Sequence, residues 1–264
     1  MKKLSKKNLL LLIAAIPFFT ACDNISLEDR YIEEGTVEVT RNVLLEEFTG
    51  QLCTNCPDAH RVIESLEAQY GENLIVVSIH AGKGQFGVPA PYGLMQEEGD
   101  EYANRWGVYS YPAGVIDRTG NVLDYNQFAD ALRNEMGKTT SLELSVEAQL
   151  SEDRKKIEVF TTMVSPENMQ GSLQLWVIES GIIAMQIDNG TTRMDYVHNN
   201  VFRGCVNGLW GQQIPLEANV VKYESNEIAI DELWNLENVS IVGFYYNNSG
   251  VIQVEKVKLE TSSN

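Results

Sequence analysis

The spacing of apolar positions changes character near the middle of the chain. Between residues 43 and 136, apolar runs typical of buried strands alternate with helical periodicities, which predicts an α/β sheet with helices on its faces. The predicted strands are 43–48, 74–79 and the two arms of a hairpin, 115–117 and 121–123. The predicted helices are 59–70, 96–106 and 128–136, and residues 81–95 are expected to form a glycine- and proline-rich loop.

Beyond Gly137 the pattern is typical of strands alone. Apolar residues alternate strictly with other residues from Leu142 to Leu150, and helical periodicity is nearly absent. Further predicted strands are 157–164, 172–179, 239–246 and 251–259. We therefore expect two domains, an α/β domain at 41–138 and an all-β antiparallel sandwich at 139–264.

The first 21 residues have the features of a signal peptide. Four lysines precede an apolar stretch from Leu9 to Phe19, and no acid occurs among them. The stretch is eleven residues long, whereas a membrane-spanning helix needs about 20. Residues 1–21 are therefore expected to direct export.

The end of this segment contains a candidate lipidation site. The sequence Phe19-Thr20-Ala21-Cys22 resembles a bacterial lipobox, which implies cleavage before Cys22 and attachment of acyl chains to its thiol. A secretory protein that is cleaved without lipidation is the alternative. Residues 22–40, rich in acids, are expected to be a tether.

The formal charge restricts the classes of partner. The chain has 37 acids and 20 bases, a net charge of −17. Nucleic acid is not an expected partner, because binding to phosphate backbones requires clustered bases. The same balance argues against a basic patch for anionic lipids, so contact with the membrane is expected only through the lipid anchor.

The chemical signal with the most specific spacing is a pair of cysteines. Cys53 and Cys56 form a C-x-x-C motif that follows a predicted strand and begins a predicted helix. The positive end of the helix dipole would lower the pKa of the first thiol and so favour thiol–disulfide chemistry. Half of a zinc site is the alternative, and the only other histidines or thiols after residue 22 that could complete it are His60, His80, His198 and Cys205. We favour the redox pair, with no metal and no cofactor.

Two motifs around these cysteines resemble the thioredoxin superfamily. They are the runs from Glu47 to Pro57 and from Val108 to Gly120. The resemblance implies a thioredoxin-like fold for the first domain, with Pro112 as a cis-proline that faces the dithiol and shapes a substrate groove. An ordinary trans proline in a turn is the alternative for Pro112.

The same resemblance implies a role for one acid and leaves one difference. Glu47 occupies the position of a buried acid that exchanges a proton with the resolving thiol. The alternative is that either Glu46 or Glu47 faces solvent, as strand alternation requires. Leu52 stands where the superfamily has an aromatic residue, and Thr54-Asn55 replaces its usual Gly-Pro, so the redox potential does not carry over.

Nearly the whole mature chain resembles the family of Gram-negative envelope lipoproteins named after outer membrane protein 28. The resemblance is carried by the following runs: Phe48–Gly50, Trp176–Glu179, Asp195–Arg203, Gly208–Gly211 and Val242–Tyr246. It implies a lipid-anchored protein of the cell envelope, in the outer membrane, on its periplasmic or its surface side.

Two functions are compatible with these observations. In the first, Cys53 attacks and Cys56 resolves mixed disulfides with envelope proteins or peptides, while Glu47 moves a proton. In the second, the chain is a binding or adhesion lipoprotein, its first domain is a scaffold and its disulfide is structural, as an oxidising compartment favours.

Overall fold

The computed structural model describes residues 39–261, which are mostly β-strand. The described residues belong to one compact unit. The three α-helices of the described range are α1 (Cys56–Tyr70), α2 (Glu97–Trp106) and α3 (Phe128–Glu135). The strands before residue 138 are β1 (Val39–Thr40), β2 (Val43–Thr49), β3 (Leu74–His80), β4 (Ala113–Ile116) and β5 (Thr119–Leu123).

Eleven further strands follow in the described part of the chain. They are β6 (Thr139–Thr140), β7 (Glu143–Leu150), β8 (Lys156–Val164), β9 (Ser172–Glu179), β10 (Ile182–Asp188), β11 (Thr191–His198), β12 (Val201–Cys205), β13 (Gln212–Gln213), β14 (Lys222–Ala229), β15 (Val239–Asn247) and β16 (Gly250–Lys258).

One mixed sheet of nine strands runs through both halves of the sequence. Its strand order is β16-β15-β9-β12-β3-β2-β4-β5, and β13 pairs with β9. The strands of the two halves meet where β12 lies parallel to β3, with Val201 opposite Ser78. At this junction the Ser78 amide donates a hydrogen bond to the Asn200 carbonyl over 2.8 Å.

The predicted fold class, an α/β thioredoxin-like domain followed by an all-β antiparallel sandwich, is wrong. The first-half strands do not form a separate helix-covered sheet, because the free edge of β3 is completed by β12 from the second half. The continuous apolar run of β3 correctly indicated a strand buried on both faces. Apolar periodicity contains no information on which distant strand pairs with an edge, so the mixed sheet could not be read from it.

The hydrophobic core lies on both faces of the nine-stranded sheet. On one face, a shared cluster joins Phe48 and Ile79 of the first half to Trp176 and Phe244 of the second, and Tyr102 of α2 packs in it. On the other face, α1 and α3 cover the first-half strands. The antiparallel sheet β14-β8-β7 covers the second-half strands.

Two strands lie outside these layers and position the candidate site. β10 and β11 form a two-stranded antiparallel hairpin that pairs with no other strand of the described range. The sequence pattern predicts no strand at β10, β11, β12 or β14, because their residues are mainly polar or lack strict alternation.

The predicted export signal and the tether up to residue 38 lie outside the described residues, and so does Cys22. Val39 and Thr40, the end of the predicted tether, form β1 and pair with β6. Within the part of the chain that is described, no helix is long and apolar enough to cross a membrane.

Candidate functional site

The two cysteines of the C-x-x-C motif form a disulfide at the start of α1. Their Cα atoms are 5.4 Å apart. Cys53 lies in the loop that leaves β2, and Cys56 is the first residue of the helix, with Pro57 beside it in the first turn. Proline is favoured there because it lacks the N–H that this position cannot use. The chain therefore places the disulfide where a strand end meets a helix N-terminus.

Both cysteines are buried, which the sequence did not indicate. Cys53 is 2% exposed and Cys56 is 0% exposed. Leu52, which directly precedes Cys53, is by contrast 37% exposed. A large substrate thiol cannot reach either sulfur in this arrangement.

The β10–β11 hairpin lies against the disulfide loop. Gln186, which is fully buried on β10, donates from its amide to the carbonyls of Cys53 and Gly50 over 3.0 and 3.2 Å. In the reverse direction the Gln51 amide donates to the carbonyl of Met185 over 2.8 Å. These bonds fix the middle of β10 on the residues that lead into Cys53.

Backbone and hydroxyl groups extend the same contact toward the hairpin turn. The Ile187 amide donates to the Gln51 carbonyl over 2.9 Å. The amides of Asn189 and Gly190 donate to the carbonyl and the hydroxyl of Thr54, which lies between the two cysteines. The hairpin thus follows the disulfide loop along its length.

Glu47 is completely buried on β2 and has two partners. The Ser78 hydroxyl donates to its Oε2 over 2.7 Å, and His60 Nε2 lies 3.2 Å from its Oε1. His60 is one helical turn after Cys56 and also contacts the hydroxyls of Thr49, at 3.0 Å, and Tyr196, at 2.7 Å. A polar chain therefore connects Glu47, through His60, to Tyr196 of the hairpin.

The charge of Glu47 determines the protonation of His60. Burial of the imidazole opposes its protonation, but the charge of Glu47 and its hydrogen bond outweigh burial, so the pKa of His60 is raised. The His60 ring is therefore more readily cationic than a free histidine, and it lies on the helix that begins at Cys56.

The other two histidines of the chain line the same cavity as Glu47 and His60. The rings of His80 and His198 lie 5.3 Å apart. Burial and then the charge of His198 hold the pKa of His80 well below its usual value, and burial and then His60 lower the pKa of His198 to about 4. Among residues 39–261, no group of three or more His, Cys, Asp or Glu side chains is arranged to hold a metal ion.

Pro112 lies at the edge of the same region. The Tyr111–Pro112 peptide bond is cis, and Pro112 is buried. Because Ala113 of β4 pairs with Phe48 of β2, Pro112 lies next to the strand end from which the disulfide loop departs. Tyr111 packs on Phe86, at 4.7 Å between ring centroids. The catalytic roles of Pro112 and Glu47 stay predictions.

Cys205 is a free thiol in a different place. It is half-buried on β12, and its sulfur lies 3.1 Å from the Tyr102 hydroxyl. Burial raises the pKa of this thiol to about 11, which makes it a poor nucleophile at neutral pH.

Sequence reasoning missed three residues of this site. His60 was considered only as a metal ligand, although its spacing of four residues from Cys56 places both on one face of α1. Gln186 and Tyr196 lie more than 130 residues from the disulfide in sequence. No local pattern marks them, because they reach the site only through the position of the hairpin.

Comparisons with known proteins connect the chain to envelope proteins. The family model described as outer membrane protein Omp28 matches residues 99–263. No curated protein matches the chain.

Solved structures show the same fold in a distant relative. The chain is similar to HBP35 of Porphyromonas gingivalis, with a TM-score of 0.62 and 15% identity over 85% of this chain and 78% of that one. A domain of the outer membrane lipoprotein Omp28 from Porphyromonas gingivalis matches with 24% identity and a TM-score of 0.33, covering 46% of this chain and 90% of that one. A protein from Agrobacterium tumefaciens matches with 14% identity and a TM-score of 0.49, covering 86% of this chain and 98% of that one.

Proposed function

The chain belongs to the outer membrane protein Omp28 family, and from that premise we propose that it exchanges disulfides with envelope proteins through Cys53 and Cys56. The family connects it with the outer membrane of the cell envelope. The proposal includes an anchor of acyl chains on Cys22, which would hold the exchanging domain at the membrane.

The observation that carries the proposal is the disulfide at the N-terminus of α1. Free amides and the positive end of the helix dipole favour a thiolate there. A thiolate that is stabilised in the reduced form makes the disulfide easier to reduce, and a reducible disulfide is one that can be exchanged.

The exchange itself proceeds through one mixed disulfide. A substrate thiolate attacks Cys53 Sγ, forms a substrate–Cys53 disulfide and releases Cys56 as a thiolate. A second substrate thiolate then attacks the substrate sulfur of the mixed disulfide and releases Cys53 as a thiolate. The substrate leaves with a disulfide, and Cys53 and Cys56 are both reduced. The reverse sequence reduces a substrate disulfide, with Cys53 attacking and Cys56 resolving.

Polar residues near α1 would assist proton movement in this cycle. The released Cys56 thiolate needs a proton, and the Glu47–His60 pair stores one a single helical turn away. Pro112 would shape the substrate groove beside the strand end, because its ring has no N–H and leaves neighbouring backbone groups to a substrate chain.

Burial of the disulfide adds a condition. Since the cysteines are buried and the β10–β11 hairpin lies against the disulfide loop, exchange would require the hairpin to lift from that loop. The contacts that must separate include the hydrogen bonds to the disulfide loop and the ring contact between His80 and His198. Among the described residues they include no strand pairing with the main sheet.

The same burial favours a second candidate function. A disulfide that stays enclosed would be structural, and the chain would then be a binding or adhesion lipoprotein of the outer membrane. The two functions differ in whether any partner becomes covalently attached to Cys53.

Mixed-disulfide trapping tests the exchange. Cys56→Ser cannot resolve a mixed disulfide, so envelope proteins should accumulate on Cys53 and be released by dithiothreitol. Cys53→Ser is the matched control and should trap far less, while Cys205→Ser in the Cys56→Ser background should trap equally. Absence of trapped partners, or equal trapping by the Cys53→Ser chain, contradicts exchange and leaves the structural disulfide.

Labelling tests the anchor. Radiolabelled palmitate should enter the full chain and the Cys205→Ala variant but not Cys22→Ala. Incorporation that persists in Cys22→Ala contradicts lipidation at Cys22.

A further inference from the structure

A cleft that does not include the disulfide has an unusual lining. It lies between the end of α2, the β4–β5 turn, the start of β9, the loop before β13 and the β15–β16 turn, and its volume is about 680 Å³. Its side chains are two arginines, three aromatics and four amides with one serine: Arg105, Arg118, Trp106, Trp210, Tyr246, Gln170, Gln213, Asn247, Asn248 and Ser172. A volume of this size is typical of small-ligand sites.

The charge of the cleft is opposite to that of the chain. Among the residues that the structure describes, no aspartate or glutamate lines it, although the chain has 37 acids and 20 bases. Arg105 is exposed, and no ion pair joins it to an acid of the described range. The cleft would therefore accept an anionic ligand.

A second arginine lies at the floor of the cleft and is nearly enclosed. Arg118 is 8% exposed, and its guanidinium carbon lies 4.5 Å from the ring centroid of Tyr246 and 4.6 Å from that of Phe244. Its Nε donates to Glu46 over 2.9 Å, which balances its charge, but its Nη2 has no hydrogen-bond partner among the described residues. Arg118 thus offers a donor rather than net charge, and the net charge comes from Arg105.

The walls are aromatic and held in place. The Tyr246 hydroxyl donates to the Trp210 carbonyl over 2.7 Å, which joins the end of β15 to the loop that carries Trp210. Trp106 Nε1 is buried without a hydrogen-bond partner among residues 39–261. Flat faces with adjacent N–H donors suit a ring that has apolar C–H faces and polar edges.

We propose that this cleft binds an acidic sugar of the hexuronic acid class. The carboxylate would lie between Arg105 and Arg118, because arginine binds carboxylates with two parallel hydrogen bonds. The sugar ring would pack on Trp210 and Trp106, and the amides of Gln170, Gln213, Asn247 and Asn248 would bind the hydroxyls. The site does not involve the disulfide, so it stands or falls independently of thiol exchange.

Tryptophan fluorescence of the oxidised chain tests this proposal, because two tryptophans line the cleft. The probes are D-glucuronate, D-glucose and acetate at low salt. We expect D-glucuronate to bind at least about tenfold more tightly than D-glucose or acetate, since only it has both the charge and the ring. Equal affinity for D-glucuronate and acetate indicates a simple anion site and overturns the proposal, as does the absence of D-glucuronate binding.

Two variants connect the binding to the cleft. Arg105→Gln alters an exposed side chain and should weaken D-glucuronate binding by about tenfold while leaving D-glucose unchanged. Arg154→Gln is the matched control, because Arg154 is also exposed and without an acidic partner in the described range but lies outside the cleft. Equal weakening by both variants contradicts the assignment.

Discussion

Single residues in the candidate site differ in protonation because their surroundings differ. His60 and His198 line one cavity, yet the pKa of His60 is raised and that of His198 is lowered to about 4. Glu47 contacts His60 directly, and this outweighs burial, whereas burial dominates at His198. Protonation of the two histidines therefore changes the stability of the fold in opposite directions.

His198→Gln should make the protein less sensitive to acid. The pKa of His198 is about 4 in the fold and 6.5 in a free side chain, so the unfolded chain binds the proton more readily and stability is lost as the pH falls through this window. Between pH 7 and pH 5 the wild type should lose about 2 kcal/mol of unfolding free energy more than the variant. Urea denaturation at the two pH values measures this difference.

His60→Gln is the informative comparison for that experiment. In the wild type, the raised pKa of His60 contributes stability that is fully present below pH 6.5 and is lost as the pH rises through the pKa of His60 in the folded protein. Its removal should therefore increase the acid sensitivity. A decrease for both variants would contradict the assigned directions.

At this scale the sequence predicted what depends on local spacing. The C-x-x-C spacing predicted that Cys53 and Cys56 would lie at a helix start, and they do. It could not reveal their burial, because residues that contact the disulfide loop, such as Gln186, lie in a hairpin that is distant in sequence. The buried position of Glu47 resolves the alternative that it faces solvent, although Glu46 is buried as well.

At the scale of elements, the proposed exchange depends on the β10–β11 hairpin. It pairs with no strand outside itself in the described range, and it contacts the disulfide loop through named hydrogen bonds. Local opening is expected for elements with such limited anchoring.

Gln186→Ala should expose the disulfide. The variant loses the side-chain hydrogen bonds to the carbonyls of Cys53 and Gly50, each worth about 1 kcal/mol, so the open state should become about 30-fold more populated. The rate of disulfide reduction by dithiothreitol under native conditions, followed by alkylation and mass spectrometry, should rise by the same factor. Gln149→Ala, an exposed glutamine on β7, is the control and should leave the rate unchanged. An unchanged rate in Gln186→Ala would show that this hairpin contact does not limit access.

The elements that sequence patterns predicted are those with strong periodicity. The predicted helices near α1, α2 and α3 and the strands near β2, β3, β7 and β9 are present, because their burial follows their own sequence. β11 was missed because most of its side chains are exposed and polar, so no apolar alternation marks it. β12 was missed because it is only five residues long and has no strict alternation of apolar and polar positions.

At the scale of the whole molecule, the two halves share one core face. Phe202 of β12 is buried against Tyr102 of α2 and Trp176 of β9, at 5.8 and 5.5 Å between ring centroids. The junction of β12 with β3 lies beside it. A destabilising substitution in the second half of the chain should therefore also destabilise the first half.

Phe202→Ala should weaken both halves together. Loss of a buried phenylalanine costs about 3–5 kcal/mol, and hydrogen exchange should show lower protection at the Ser78 amide of β3 as well as in β9. Phe160→Ala, at a 39% exposed position of β8, is the control and should change both much less. Unchanged protection in β3 would indicate that the halves unfold independently.

The reduction potential of the Cys53–Cys56 pair in the full chain tests the central claim most directly, because exchange requires a disulfide that partners can reduce. Equilibration with glutathione and dithiothreitol buffers, read by alkylation, gives this value. Exchange predicts a potential above about −300 mV. A potential well below about −300 mV is typical of inert structural disulfides and would contradict the proposed function.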